Sequence, residues 1–157
     1  MWKSICAAIL FVGLAGCSAG ADLSAAEEEV ERFHDLYRDG RFADIYRGVS
    51  RELADTISEA DWLAMMSQTS GAMGEFRDSE RTRWKVNYGD AGSLIELNYD
   101  SRFANGRASE RFKYVDKGDG PPELIAYSIL PDDGRSARDG EEEAKNEGGS
   151  REERDSR

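Results

Sequence analysis

The feature that most constrains this chain is a change of hydrophobic period near Phe76. Before it, apolar side chains recur at helical spacing. Val30, Phe33, His34 and Tyr37 fall at i, i+3, i+4 and i+7, one face of an amphipathic helix. After it, Thr82, Trp84, Val86 and Tyr88 alternate with Arg81, Arg83, Lys85 and Asn87, the pattern of a half-buried strand. A sheet with one apolar face must cover it, and the helices are what this chain has for the purpose. The expected class is therefore α+β, with N-terminal helices packed on a four-stranded antiparallel meander.

Local signals set the boundaries. Ser24 with Glu27 forms a capping box, and Glu27–Glu29 suit the positive end of a helix dipole. Gly40 ends that helix. A second piece starts near Arg41 and carries Phe42, Ile45 and Tyr46, and Leu53 and Ile57 suggest a further short turn. Ser58 with Asp61 caps another helix, whose face is Trp62, Met65, Met66 and Thr69; Gly71 and Gly74 close the helical half. In the second half, residues 89–92 form a turn and Asn105-Gly106 is a hairpin signal. Ile95, Leu97, Tyr99 and Phe103 make one apolar strand face, and Ala108, Glu110, Phe112 and Tyr114 the next. Leu124–Leu130 is almost wholly apolar, which suits a strand covered on both faces. The sheet bases Arg81, Arg83, Lys85, Arg102, Arg107, Arg111 and Lys113 are expected on its polar face.

The two ends of the chain do not read as parts of that domain. Lys3 precedes an uncharged apolar run from Ile5 to Leu14, too short for a membrane span of about 20 residues but suited to a secretory signal peptide. Leu14-Ala15-Gly16-Cys17 follows and resembles the lipobox of bacterial lipoproteins. That resemblance implies a signal peptide over residues 1–16, lipidation of Cys17, and a lipidated tether over 17–23. The implied place is the cell envelope, with the membrane as partner through the N-terminal lipid. Ser18, rather than Asp, follows the cysteine, which by resemblance to enteric sorting favours the outer membrane with the domain facing the periplasm. At the other end, residues 132–157 hold ten acids and six bases, with only two alanines as apolar residues. Such a segment cannot offset its chain entropy by burial, so an acidic disordered tail is expected there.

The middle, residues 24–131, resembles the cystatin-like or NTF2-like roll. The resemblance is carried by Tyr37-Arg38-Asp39-Gly40-Arg41-Phe42, by the Asp61-Trp62 helix start, and by Gly74 leading into the strands.

Charge and composition exclude several functions. The chain has 21 Lys+Arg against 32 Asp+Glu, a net charge of −11, so phosphate is repelled and nucleic acid is not an expected partner. Two cysteines and one histidine leave no multi-ligand zinc or iron–sulfur set. No metal, no cofactor, no glycine-rich phosphate loop and no nucleophile elbow is expected. The acids concentrate in residues 18–75, which hold 13 acids and 5 bases; residues 76–115 hold 6 and 8.

Two sets of residues remain as candidate sites. His34 is the sole histidine and sits on the apolar helix face, while Glu110 shares a strand face with Phe112 and Tyr114. A carboxylate on an apolar face can act as a base, and the NTF2-like resemblance implies acid/base groups inside the cone. His34 and Glu110 are thus the catalytic pair to test. The bland alternative is a core-edge histidine and a glutamate at the rim of the hairpin. Trp62, Met66, Trp84 and Tyr99 could line a pocket for an apolar ligand, or simply fill the core. The leading expectation is a non-enzymatic, lipid-anchored module that binds an envelope protein or a small apolar ligand. The alternatives are an acid/base enzyme and a structural lipoprotein without a pocket.

Overall fold

Helices come first and strands second, in the expected order. The computed structural model describes residues 18–90 and 92–132. Its elements are α1 (Ser18–Arg38), α2 (Phe42–Arg47), α3 (Arg51–Ala54), α4 (Glu59–Met73), β1 (Phe76–Gly89), β2 (Gly92–Phe103), β3 (Gly106–Asp116) and β4 (Glu123–Pro131). The strands form one antiparallel sheet in the order β1-β2-β3-β4, which makes the fold α+β. The expected signal peptide over 1–16, Cys17, and all of the expected 132–157 tail except Asp132 lie outside the described residues. No described helix is long and apolar enough to cross a membrane.

α1 begins at Ser18 rather than at the expected cap, Ser24. Two contacts hold the added turns. Asp22 accepts a 2.7 Å hydrogen bond from Ser93 Oγ of β2, and Leu23 packs on the core. The segment expected as a tether is therefore helical from Ser18 onward. Ser58 behaves as predicted: its hydroxyl accepts from the Asp61 amide and starts α4. Gly71 lies within α4, and Gly74 alone closes it, with φ 76°. A left-handed backbone there suits glycine.

One sheet face packs on the helices. Ile95, Leu97 and Phe112 are fully buried against Val30, Phe33, Trp62 and Met66. Met65, expected on the buried face of α4, is exposed instead, because α4 buries the stripe Trp62, Met66 and Met73. The opposite sheet face carries ion pairs between strands: Lys113 with Glu96 at 3.3 Å and Arg102 with Asp78 at 2.7 Å.

The edges depart from expectation. β4 is covered on one face alone: Leu124 is buried on the helical side, whereas Leu130 lies opposite Ser109 on the outer face and is 72% exposed. Its start is closed by Val49, which bridges Leu124, and by the Ser50 amide, which bonds the Leu124 carbonyl at 2.8 Å. In β1 the register slips between Arg81 and Arg83, where a bulge inserts Thr82. A one-residue insertion reverses which face later side chains take. Arg81 consequently lies opposite buried Tyr99 and pairs with Glu27 of α1, on the helical side rather than the polar face.

Candidate functional site

His34 and Glu110 do meet, from opposite layers. α1 presents His34 on the same face as Val30, Phe33 and Tyr37, and β3 presents Glu110 in line with Ala108, Phe112 and Tyr114. His34 Nε2 lies 2.9 Å from Glu110 Oε2. The two residues are 4% and 2% exposed, so Glu110 is an interior group and does not sit at the hairpin rim. The imidazole stacks on Phe76 at 4.0 Å between centroids and 9° between planes. Phe112 and Tyr99 meet its edge or face at near-right angles. The stacked and the perpendicular contacts together fix the ring plane, and the plane aims Nε2 at the carboxylate.

Two further residues complete the cluster. Ser101 Oγ of β2 donates to Glu110 Oε2, and Tyr127 OH of β4 donates to Oε1 at 2.7 Å. The carboxylate of β3 thus has a donor from each of three other elements, α1, β2 and β4. Burial is the largest influence on Glu110 and pushes its pKa up; the hydrogen bond and charge of His34, then Ser101 and Tyr127, outweigh it and hold the pKa below the ordinary glutamate value. Tyr127 is driven well above the usual tyrosine range, first by burial and then by the Glu110 charge it bonds. It therefore remains a protonated donor at neutral pH. Ser101 was open to discovery by parity, since it lies on the β2 face of Leu97, Tyr99 and Phe103. Tyr127 sits in an almost wholly apolar run, which carries no such signal.

The aromatic set does not assemble. Trp62, Met66 and Tyr99 are buried core. The Trp62 ring lies near Tyr127 of β4, 6.4 Å between centroids. Trp84 stands at the far edge of the sheet, in the row Trp84–Leu97–Phe112–Tyr127 that crosses all four strands. At about 4.8 Å per strand step, that row spans roughly 14 Å. Trp84 is 52% exposed, although its partner Leu97 is fully buried on the same face. The Trp62 indole N–H is buried and has no hydrogen-bond partner among the described residues.

The clefts lie elsewhere. One of about 300 Å³ opens between α1, the α2–α3 turn and the β3–β4 loop; Glu29, Arg32, Arg47, Lys117 and Glu123 are among its lining. Its charges are already matched in part, Arg32 with Glu29 at 3.2 Å and Lys117 with Glu123 at 2.7 Å. A second depression lies on the outer sheet face around Arg83, Asn98 and Arg111, and Glu110 borders it from the strand whose carboxylate points the other way. His34 lines neither. Among the described residues, no cluster of three His, Cys, Asp or Glu is placed to hold a metal ion.

No family model matches this chain, and no curated protein matches it.

Proposed function

We propose that this chain is a lipid-anchored, periplasm-facing interaction module of the bacterial envelope, a lipoprotein with a cystatin-like or NTF2-like roll. The observation that carries the binding part is the half-exposed aromatic row on β1. Trp84 and Tyr88 are 52% and 57% exposed on the face that elsewhere is core. Exposed aromatics on an ordered edge suit a protein partner. The anchor rests on Leu14-Ala15-Gly16-Cys17. Helix α1 starts at Ser18, which would hold the domain close to the membrane. In a Cys17→Ser chain, fractionation should move the protein out of the membrane pellet. Retention in the pellet would overturn the anchor. A photocrosslinker at Tyr88 in living cells should give a discrete adduct, and one at Ser128 on the opposite edge should not. No adduct at Tyr88 would overturn the binding surface.

A second reading has one observation in its favour, the 2.9 Å contact of His34 with Glu110. As an acid/base enzyme, the protein would need solute to reach His34. Diethyl pyrocarbonate decides the point, because the chain has one histidine. The interaction reading expects no histidine modification until the protein unfolds. Fast modification of the folded protein would favour the enzyme.

A further inference from the structure

The free edge of β1 carries more than exposed rings. β1 is 14 residues long and, among the described residues, pairs with β2 alone. Among the described residues, no backbone hydrogen bond outside the sheet involves residues 77–90. One side of the strand therefore presents unpaired N–H and C=O groups, a template for another strand. Proteins blunt such an edge with bulges, and the two register shifts of β1, between Phe76 and Asp78 and between Arg81 and Arg83, both fall in its first half. From Arg83 to Gly89 the register is regular, and this is the stretch with the exposed aromatics. The other sheet edge is closed at its start by Val49 and Ser50.

We propose that β1 pairs with β1 of a second copy, antiparallel about a two-fold axis through Val86, joining two sheets into one. This rests on the reading of β1 as the binding surface and names the partner. The sequence of β1 selects that register. Centred on Val86, the pairing sets Trp84 against the second copy's Tyr88, Val86 against itself, Lys85 against Asn87 and Arg83 against Gly89. Aromatic cross-strand pairs are favourable and no like charges are opposed. A two-residue slip one way sets Lys85 against Lys85. A slip the other way sets Trp84 against Asp90. A one-residue slip sets an apolar face against a polar one. The pairing centred on Val86 is thus the self-complementary one.

Geometry at the membrane agrees. Tyr88 pairs with Ser93, and Ser93 holds Asp22 in the first turns of α1. The start of α1, next to Cys17, therefore lies near the seam. A two-fold axis perpendicular to the sheet keeps both helical layers, with the start of each α1, on one face. Four half-exposed rings remove on the order of 400 Å² when covered, so the interface is small and the dimer weak and concentration-dependent. Confinement of both copies to one membrane raises their effective concentration.

The test uses the full chain purified in mild detergent. Sedimentation across a concentration series should show a monomer–dimer equilibrium, and Trp84→Ser should weaken it by about tenfold or more, since both copies lose the ring. Val86→Cys should form a covalent dimer on mild oxidation, whereas Leu130→Cys at the other edge should not. A monomer at every concentration, or equal crosslinking at positions 86 and 130, overturns the dimer. The Tyr88 adduct in cells separates the two readings. An adduct of twice the chain mass supports the second copy. An adduct of any other mass overturns the dimer and keeps β1 as a surface for a different protein. No adduct overturns both.

Discussion

The buried carboxylate of Glu110 makes the sharpest prediction about how this fold is held. Glu110→Gln keeps the shape and removes the charge. Hydrogen bonds to a charged group contribute about 1.5–3 kcal/mol each, against about 0.5–1.5 for neutral ones. Three donors converge on this carboxylate, and the amide gives back the desolvation cost that is the largest influence on Glu110. The expected net loss at neutral pH is about 1–3 kcal/mol, a sizeable part of a total stability of roughly 5–15. Glu110→Leu strands His34, Ser101 and Tyr127 together and should lose about 3–5 kcal/mol. The charge also sets a sign with pH. The folded pKa of Glu110 lies below its unfolded value of 4.5. Its contribution is therefore complete above about pH 4.5 and disappears as the pH falls through the folded value. Asp44 and Asp78, held low by Arg41 and Arg102, lie on the surface and give both proteins some acid sensitivity. The difference between the two proteins isolates Glu110. Urea unfolding followed by tryptophan fluorescence at a series of pH values measures it. Wild type and Glu110→Gln should converge as the solution is acidified. A constant gap between them at every pH, or a variant as stable as wild type at pH 7, would refute the reasoning.

Three further substitutions test local structure. Ser58→Ala removes the hydroxyl that accepts from the Asp61 amide and should lower stability by about 1 kcal/mol, read as a drop in Tm by circular dichroism. At Gly92, with φ 117°, an added Cβ would strike the Asp116 carbonyl oxygen. Gly92→Ala should therefore cost more than about 1 kcal/mol, whereas Gly106→Ala, which meets nothing within 4 Å, should leave Tm nearly unchanged.

Much of the fold could be read from short-range pattern, because caps, turns and alternation act over a few residues. Ser58, Gly74 and Asn105-Gly106 each mark a boundary where the chain does turn. The failures have one kind of cause. The start of α1 depends on Asp22 reaching Ser93 across the two layers. The side taken by Arg81 depends on a bulge that no residue type announced. The exposure of Leu130 depends on a register that sets it opposite Ser109 on the outer face, since an apolar run does not say which of its residues face the helices. Each is a property of a neighbour distant in sequence.

The candidate site divides along the same line. Composition and parity single out His34 and Glu110, a lone histidine and a lone carboxylate that each break an apolar face, and the NTF2-like resemblance joins them as a pair. The sequence also determined the α+β order and the apolar face of each strand, since period and turn residues are local properties. Only the tertiary structure decided that His34 and Glu110 touch, that Ser101 and Tyr127 join them, and that Trp84 stands apart from Trp62 and Met66. The physical reason is register. Alternation says which face a side chain takes, but strand pairing and helix placement say what stands opposite. At Trp84 the face is legible in the sequence, and its exposure on that face is not.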